Sequence, residues 1–280
     1  MNSTATVSRL EGCFRDLQAR GRKGLVIYLT AGDPSLEATG DLLEAIEQGG
    51  ADVIELGIPF SDPLADGPVI QRASERALRG GATLRKVMER LPVWRERLRA
   101  PIVLFTYFNP VLQYGLEAFA RKAREAGADA ALIVDLTPEE AADYIAVMRA
   151  QNLDTVFLAS PTSSDERLRR VASASTGFLY LVSRTGVTGE RQQLSAAVGP
   201  LVERARRFTS LPLAVGFGVS TPAQVREVQA LADAAVVGSA VVHAIEDRYS
   251  KGGAAALRDY VRWLKADPQT PLSQITGESA

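Results

Sequence analysis

Eight short runs of almost uninterrupted apolar, β-branched-rich sequence constrain this chain more than any other feature. They are Leu25–Thr30, Val53–Gly57, Ile102–Tyr107, Ala130–Val134, Asp154–Leu158, Phe178–Val182, Leu213–Val215 and Ala234–Val237. A strand that is apolar on both faces is buried on both faces, as happens in parallel sheets covered by helices. Amphipathic segments fall between the runs, at Ser35–Gln48, Leu84–Leu98, Leu116–Ala126, Glu139–Ala150, Asp165–Ser173, Leu201–Phe208, Ala223–Ala230 and Ala254–Leu264. In the first of these, Leu36, Leu42, Leu43 and Ile46 share one helical face. Asp33-Pro34, Thr137-Pro138 and Thr221-Pro222 each offer a capping side chain followed by a proline suited to a first helical turn. Eight strand–helix units over 280 residues give 35 residues each. That spacing predicts an α/β fold, a (β/α)8 barrel with extra short helices, rather than an open sheet. No linker divides the chain, so one barrel domain is expected over residues 1–280, frayed at 1–6 and 268–280.

Gly50-Ala51-Asp52-Val53-Ile54, Gly127-Ala128-Asp129-Ala130-Ala131 and Leu231-Ala232-Asp233-Ala234-Ala235 share one pattern. Each reads as a helix end, a tight turn and a re-entering strand. An internal repeat and a turn common to α/β chains explain it equally well.

Composition narrows the chemistry. Thirty-two Lys and Arg against 33 Asp and Glu leave a net charge of −1, which gives nucleic acid little to hold. No apolar run reaches the length of a membrane span, and Met1–Arg9 lacks the apolar core of a signal peptide. One cysteine, Cys13, forms no internal disulfide, so a reducing, cytoplasmic setting is expected. With one histidine, His243, a zinc site is close to excluded. The five lysines, Lys23, Lys86, Lys122, Lys251 and Lys265, lie outside the apolar strands, where a Schiff-base lysine would be desolvated. Catalysis must then rest on carboxylates, tyrosines, backbone N–H groups and arginine. His243 reads as structural, Trp94 and Trp263 as packing residues on helices, and Cys13 as an unreactive helix residue.

In a barrel the active site lies at the carboxyl ends of the strands. Glu55 interrupts the second apolar run. A carboxylate buried there is costly and its pKa rises, which suits proton transfer near neutral pH; a structural ion pair is the alternative. The loop that follows, Ile58–Pro68, holds three prolines and two aspartates, Asp62 and Asp66. One of the two fits a turn and the other is free to face a ligand, and composition does not say which. Gly216-Phe217-Gly218 follows the seventh run. Gly238-Ser239 follows the eighth and precedes a short apolar segment, Ala240–Ile245. Glycines there allow backbone N–H groups to approach a phosphate. The polar stretch after the sixth run, residues 184–193, is long enough for a lid. Tyr28 and Tyr180 either line the pocket or fill core.

The segment Glu55-Leu-Gly-Ile-Pro-Phe-Ser-Asp-Pro-Leu-Ala-Asp-Gly-Pro68 closely resembles the signature of the tryptophan synthase alpha chain family. Thr30-Ala-Gly-Asp-Pro34, Tyr107-Phe-Asn-Pro110, Ser183-Arg-Thr-Gly-Val-Thr-Gly189, Gly216-Phe-Gly218 and Gly238-Ser239 continue the resemblance in order, over roughly residues 10 to 265. It implies a (β/α)8 barrel that cleaves indole-3-glycerol phosphate to indole and glyceraldehyde 3-phosphate. It implies that Glu55 and Asp66 are catalytic and that Tyr28 and Tyr180 line the indole pocket. Gly189, Gly216, Gly218, Gly238 and Ser239 match phosphate-binding positions, and Thr188 a lid threonine that contacts the aspartate. No cofactor is implied in this chain. A pyridoxal-phosphate beta chain is the implied partner, in an alpha2beta2 complex. Ile27 and Thr137 depart from positions where proline is common, and the second puts the detail of the partner contact in question. The alternatives are another phosphate-binding barrel enzyme, a free-standing indole-3-glycerol phosphate lyase, and a barrel kept mainly as a partner or regulatory subunit.

Overall fold

The structure is a computed structural model that describes residues 7–182, 194–216 and 218–266, with residues 269, 272 and 275. Nine strands form one parallel sheet: β1 (Gly24–Thr30), β2 (Val53–Gly57), β3 (Ile102–Thr106), β4 (Ala130–Ile133), β5 (Asp154–Val156), β6 (Leu158–Ala159), β7 (Leu179–Val182), β8 (Leu213–Gly216) and β9 (Ala234–Val237). Their order is β5-β4-β3-β2-β1-β9-β8-β7-β6. The two edge strands are successive pieces of the fifth apolar run, separated only by Phe157. β5 pairs with β4 and β6 pairs with β7, so the sheet closes through the chain itself. The run expected as one strand is split because barrel strands are staggered, and its two neighbours overlap different halves of it. The result is the expected eight-unit barrel.

Alternation along the strands separates two apolar layers. Val26, Val53, Val103, Leu132, Phe178 and Val236 point inward, while Leu25, Ile27, Ile54, Leu56 and Leu104 face the helices. The outer layer is built by α2 (Leu36–Gly49), α3 (Pro68–Arg79), α4 (Leu84–Glu96), α5 (Phe108–Tyr114), α6 (Leu116–Ala126), α7 (Ala142–Ala150), α8 (Asp165–Ala174), α9 (Leu194–Arg206), α10 (Pro222–Leu231) and α11 (Ser239–Leu264), the last kinked at Gly253. A further helix, α1 (Arg9–Ala19), precedes β1 and is capped by Ser8, whose hydroxyl accepts from the Glu11 N–H at 3.0 Å. Its Leu10, Phe14 and Leu17 lie on one face and join the inner cluster, plugging the amino-terminal end of the barrel.

Thr221 caps α10 with Pro222 in its first turn, as expected. The other two proposed caps differ. Ser35, not Asp33, caps α2, because both Asp33 oxygens are taken by Arg76 at 2.8 Å. Thr137 opens a turn in which its hydroxyl meets Glu140 at 3.1 Å, and α7 begins only at Ala142. The fraying expected at 1–6 and 268–280 falls mostly outside the described residues, although Leu272 packs against the outer core.

The Gly/Leu-Ala-Asp pattern is a physical repeat. In each copy the aspartate exchanges two hydrogen bonds with one residue at the start of the neighbouring strand. Asp52 does so with Leu25, Asp129 with Ile102 and Asp233 with Leu213: the backbone N–H of each aspartate donates to that residue's carbonyl, and its carboxylate accepts from the same residue's N–H. Gly50 and Gly127 supply the left-handed turn in two copies, at φ 106° and 91°. The third copy turns without one.

Candidate active site

The inward-facing positions near the carboxyl ends of the strands form a cleft. The register sets Tyr28 of β1 beside Glu55 of β2, and Gly57 beside Thr30. Residues in register share a face of the sheet, so Tyr28 and Glu55 point the same way. Gly57 is small for a reason: a Cβ there would lie 2.2 Å from the Tyr28 hydroxyl. Tyr28, Glu55, Asp66, Ile70, Phe105, Tyr180, Val236 and the backbone of Gly67, Gly218 and Gly238, with Ala65 and Ser239, surround about 570 Å³ of atom-free space, its open mouth included.

Glu55 is 1% exposed, and its Oε1 has no hydrogen-bond partner among the described residues. Desolvation alone pushes its pKa up to about 8, so at neutral pH it holds a proton. Among the described residues no cation pairs with it, so the structural-ion-pair alternative gains no support there. Asp66 closes the loop after β2 and is 9% exposed. Burial raises its pKa to about 6, against the opposing effect of the Tyr107 hydroxyl, which donates to Oδ2 at 3.0 Å. That hydroxyl also accepts from the Ala65 N–H at 3.0 Å, and Gln71 donates to the Asp66 carbonyl at 2.9 Å. Asp62 is the turn residue of the pair: it is exposed, with Ser61 donating to it at 2.5 Å. Burial thus raises both carboxyl groups of one cleft, Glu55 further than Asp66.

The aromatic wall is Tyr28 against Phe105, edge to face at 5.2 Å, with Tyr180 opposite. The Tyr28 hydroxyl is satisfied by Thr30 at 3.2 Å. Burial raises the Tyr180 hydroxyl far above its ordinary pKa, with Glu55 and Asp66 adding to it, so it stays neutral. Beside Tyr28, which a Cβ on Gly238 would meet at 3.6 Å, Gly238 precedes α11 and Ser239 opens it. A helix leaves its first N–H groups without intrahelical partners, and they favour an anion. Gly218 sits at φ 92°, a conformation that favours glycine. Gly216 is placed differently: it is buried at the end of β8, where a Cβ would meet the Tyr180 hydroxyl at 2.3 Å, and it does not line the cleft. Thr188, Gly189 and the rest of the expected lid, with Phe217, lie outside the described residues.

Sequence assigns Tyr107 no role, and the structure brings it to Asp66. Its partner is 41 positions away, so no local spacing signals the contact. The residues set aside by sequence stay outside the cleft. His243 is exposed on α11, 3.3 Å from Asp247 and 3.7 Å from Glu246. Trp94 packs over Gly40. Cys13 is half-buried, and burial first and Asp52 second push its thiol up to about 11. Among the described residues no three His, Cys, Asp or Glu side chains are placed to hold a metal, and no helix is long and apolar enough to cross a membrane.

Comparison with known proteins adds a family. The family model described as tryptophan synthase alpha chain matches residues 14–266. The tryptophan synthase alpha chain of Solibacter usitatus is 52% identical over 260 residues, covering 92% of this chain and 97% of that one. That of Geobacter sulfurreducens is 50% identical over 240 residues, covering 86% and 91%. The crystal structure of tryptophan synthase subunit alpha from Legionella pneumophila superposes with a TM-score of 0.86 at 37% identity, over 93% of this chain and 98% of that one. A chain of Mycobacterium tuberculosis tryptophan synthase gives 0.86 at 38% identity, over 95% and 100%.

Proposed function

The chain belongs to the tryptophan synthase alpha chain family, carbon–carbon lyases of tryptophan biosynthesis, and we propose that Glu55 and Asp66 are the groups with which it splits indole-3-glycerol phosphate into indole and D-glyceraldehyde 3-phosphate. The reaction is a retro-aldol cleavage. Aldolases commonly hold the departing electrons on a Schiff base or a metal. Here the substrate supplies its own sink. Protonation at indole C3 gives an indolenine cation, and the electrons of the C3–C3′ bond flow into it as that bond breaks. The C3′ hydroxyl loses its proton and becomes the aldehyde.

Glu55 is the proton shuttle. It enters protonated, gives its proton to C3 and takes one from the C3′ hydroxyl, so it ends the cycle as it began. Asp66 enters ionised, accepts a hydrogen bond from the indole N–H and stabilises positive charge on the ring. Tyr28, Phe105 and Tyr180 enclose the indole. The start of α11, with Gly238 and Ser239, and Gly218 receive the phosphate. That anchor fixes the scissile bond against Glu55, and such orientation is worth several kcal/mol. Gly216 contributes by making room for Tyr180, and Thr188 and Gly189 are expected to close over the phosphate. The observation that carries this reading is geometric: two buried carboxyl groups, Glu55 and Asp66, line one cleft together with an aromatic wall and the start of α11.

The product indole is handed to a pyridoxal-phosphate beta chain in an alpha2beta2 complex in the cytoplasm, and this chain carries no cofactor of its own. Leu64, 92% exposed at the crest of the Asp66 loop, leaves an apolar residue for such a partner to cover. The test is indole release by the purified chain with and without a beta chain. Glu55→Gln keeps the shape and removes the acid, and the rate should fall by about 10³-fold, within the range of general acid catalysis. Near wild-type release by that variant would overturn the assignment. Strong stimulation of the wild type by the beta chain marks a complex subunit; full activity without it marks a free-standing lyase.

A further inference from the structure

The cleft is assembled from separate elements, and one side chain spans three of them. Asp66 and Gly67 lead directly into α3, while Gly238 and Ser239 lead into α11. Arg76 lies on α3. Its Nε and Nη2 donate to the two oxygens of Asp33, both at 2.8 Å, in a bidentate fork. Its remaining nitrogen, Nη1, donates to Glu246 of α11 at 2.9 Å. Asp33 is buried in the loop that follows β1, and that loop packs tightly on α3 and the turn after it: a Cβ on Gly32 would lie 3.2 Å from Ala77 of α3 and 2.5 Å from Ala82 just beyond it. Arg72 and His243 flank Glu246 at 3.9 and 3.7 Å and hold it less closely.

We propose that Arg76 is a positioning residue that fixes the distance between the Asp66 end of the cleft and the phosphate end. Glu246 is two helical turns from Ser239 on the same helix, so a displacement of α11 at Glu246 is transmitted along a rigid rod to the phosphate end. Arg76 sits on the helix that Asp66 leads into. Its guanidinium is planar with donors in a fixed fork, so holding both carboxylates at once fixes angle as well as distance. The fork to Asp33 references α3 to the end of β1, and the third donor references α11 to α3. Burial opposes the Arg76 charge, but the Asp33 bonds outweigh it and keep the guanidinium protonated.

This inference rests on the functional reading above and makes a claim that fold stability alone does not. A ligand that bridges both ends of the cleft depends on their spacing, and a ligand that fills one end does not. Indole-3-propanol phosphate bridges the cleft and lacks the hydroxyl needed for cleavage. Indole fills the aromatic end, and glycerol 3-phosphate fills the phosphate end. The dissociation constants of these three probes are measured by calorimetry on the wild type, Arg76→Met and Glu246→Ala. Glu246→Ala alters a partly exposed residue and leaves the Arg76–Asp33 fork in place, so it keeps the test valid if Arg76→Met does not fold. The expected result is about tenfold weaker binding of the bridging probe, with each half-probe within twofold of wild type, in every variant that folds. Equal losses for all three probes, or an unchanged bridging probe in Glu246→Ala, would overturn the proposal. If the wild type fails to bind the bridging probe, the functional reading fails instead, so the two failures are distinguishable.

Discussion

Asp66 gives up its proton near pH 6 and Glu55 near pH 8, and the chemistry needs the first ionised and the second protonated. The pH profile of kcat/KM for indole release, which reports the free enzyme, is therefore expected to be a bell with limbs near those values. Tyr107 sets the position of the acid limb. Its hydroxyl bonds the ionised carboxylate and so opposes the rise that burial causes. In Tyr107→Phe that opposition is gone, Asp66 holds its proton to higher pH, and the acid limb should move up by about one pH unit, given what a bond to a charged group is worth. The basic limb, set by Glu55 and its burial, should stay. A profile that loses height without moving its acid limb would show that Tyr107 does no more than brace Ala65. The sequence disclosed these residues unequally. Glu55 was legible because charge inside an apolar strand is costly. Asp66 was not separable from Asp62 by composition, since both sit in one proline-rich loop and only their burial differs. Tyr107 was invisible in this role because its contact is made by the fold.

At the scale of elements, the end of the barrel opposite the cleft is fastened by the three aspartate turns. Each carboxylate satisfies a strand N–H and is itself held by cations: Asp52 by Arg22 and Lys265, Asp129 by Arg9 and Arg95, Asp233 by Lys23 and Arg206. Asp129 is the most deeply buried of the three. Burial raises its pKa despite the opposing Ile102 N–H and three arginines, Arg9, Arg95 and Arg124. Asp129→Ala strands that N–H and removes the carboxylate beside Arg95, which keeps its hydrogen bonds to the Leu98 and Ala100 carbonyls. A loss of about 3 kcal/mol is expected in urea unfolding. Asp129→Asn, which keeps an acceptor for Ile102, should lose clearly less. Neither should change kcat/KM by more than about twofold where the protein is folded, because stability and chemistry occupy opposite ends of such barrels. Equal losses for the two variants would mean that the charge, not the hydrogen bond, does the holding. The repeat was legible as a pattern, and its meaning was not, because the second half of each bond lies on another strand. The helices α1, α3 and α5 escaped periodicity for separate reasons. α3 buries only Ala73, Ser74 and Ala77, small residues with little apolar signal, α5 is seven residues long, and α1 hides three apolar residues among charged neighbours.

For the whole molecule, eight apolar runs with helices between them were enough to specify the closed parallel sheet, because strands buried on both faces have few other places to go. What they did not specify is the cost of putting Glu55 inside it. Its folded pKa lies near 8 and its unfolded value near 4.5. Below about pH 4.5 both states hold the proton and the group has no differential effect. Between those values the native state keeps a proton that the unfolded chain has lost, so stability falls as pH rises. Above about pH 8 the native state must carry a buried carboxylate, and the accumulated penalty is on the order of 5 kcal/mol. Glutamine at this position fills the same space and does not titrate. The stability of Glu55→Gln relative to wild type, measured by urea unfolding at a series of pH values, should therefore climb between about pH 4.5 and 8 and then level off. The variant should be inactive throughout that range. A stability difference that stays flat with pH would show that Glu55 is ionised in the folded protein at neutral pH, and the proton it is assigned to deliver would then have to come from elsewhere.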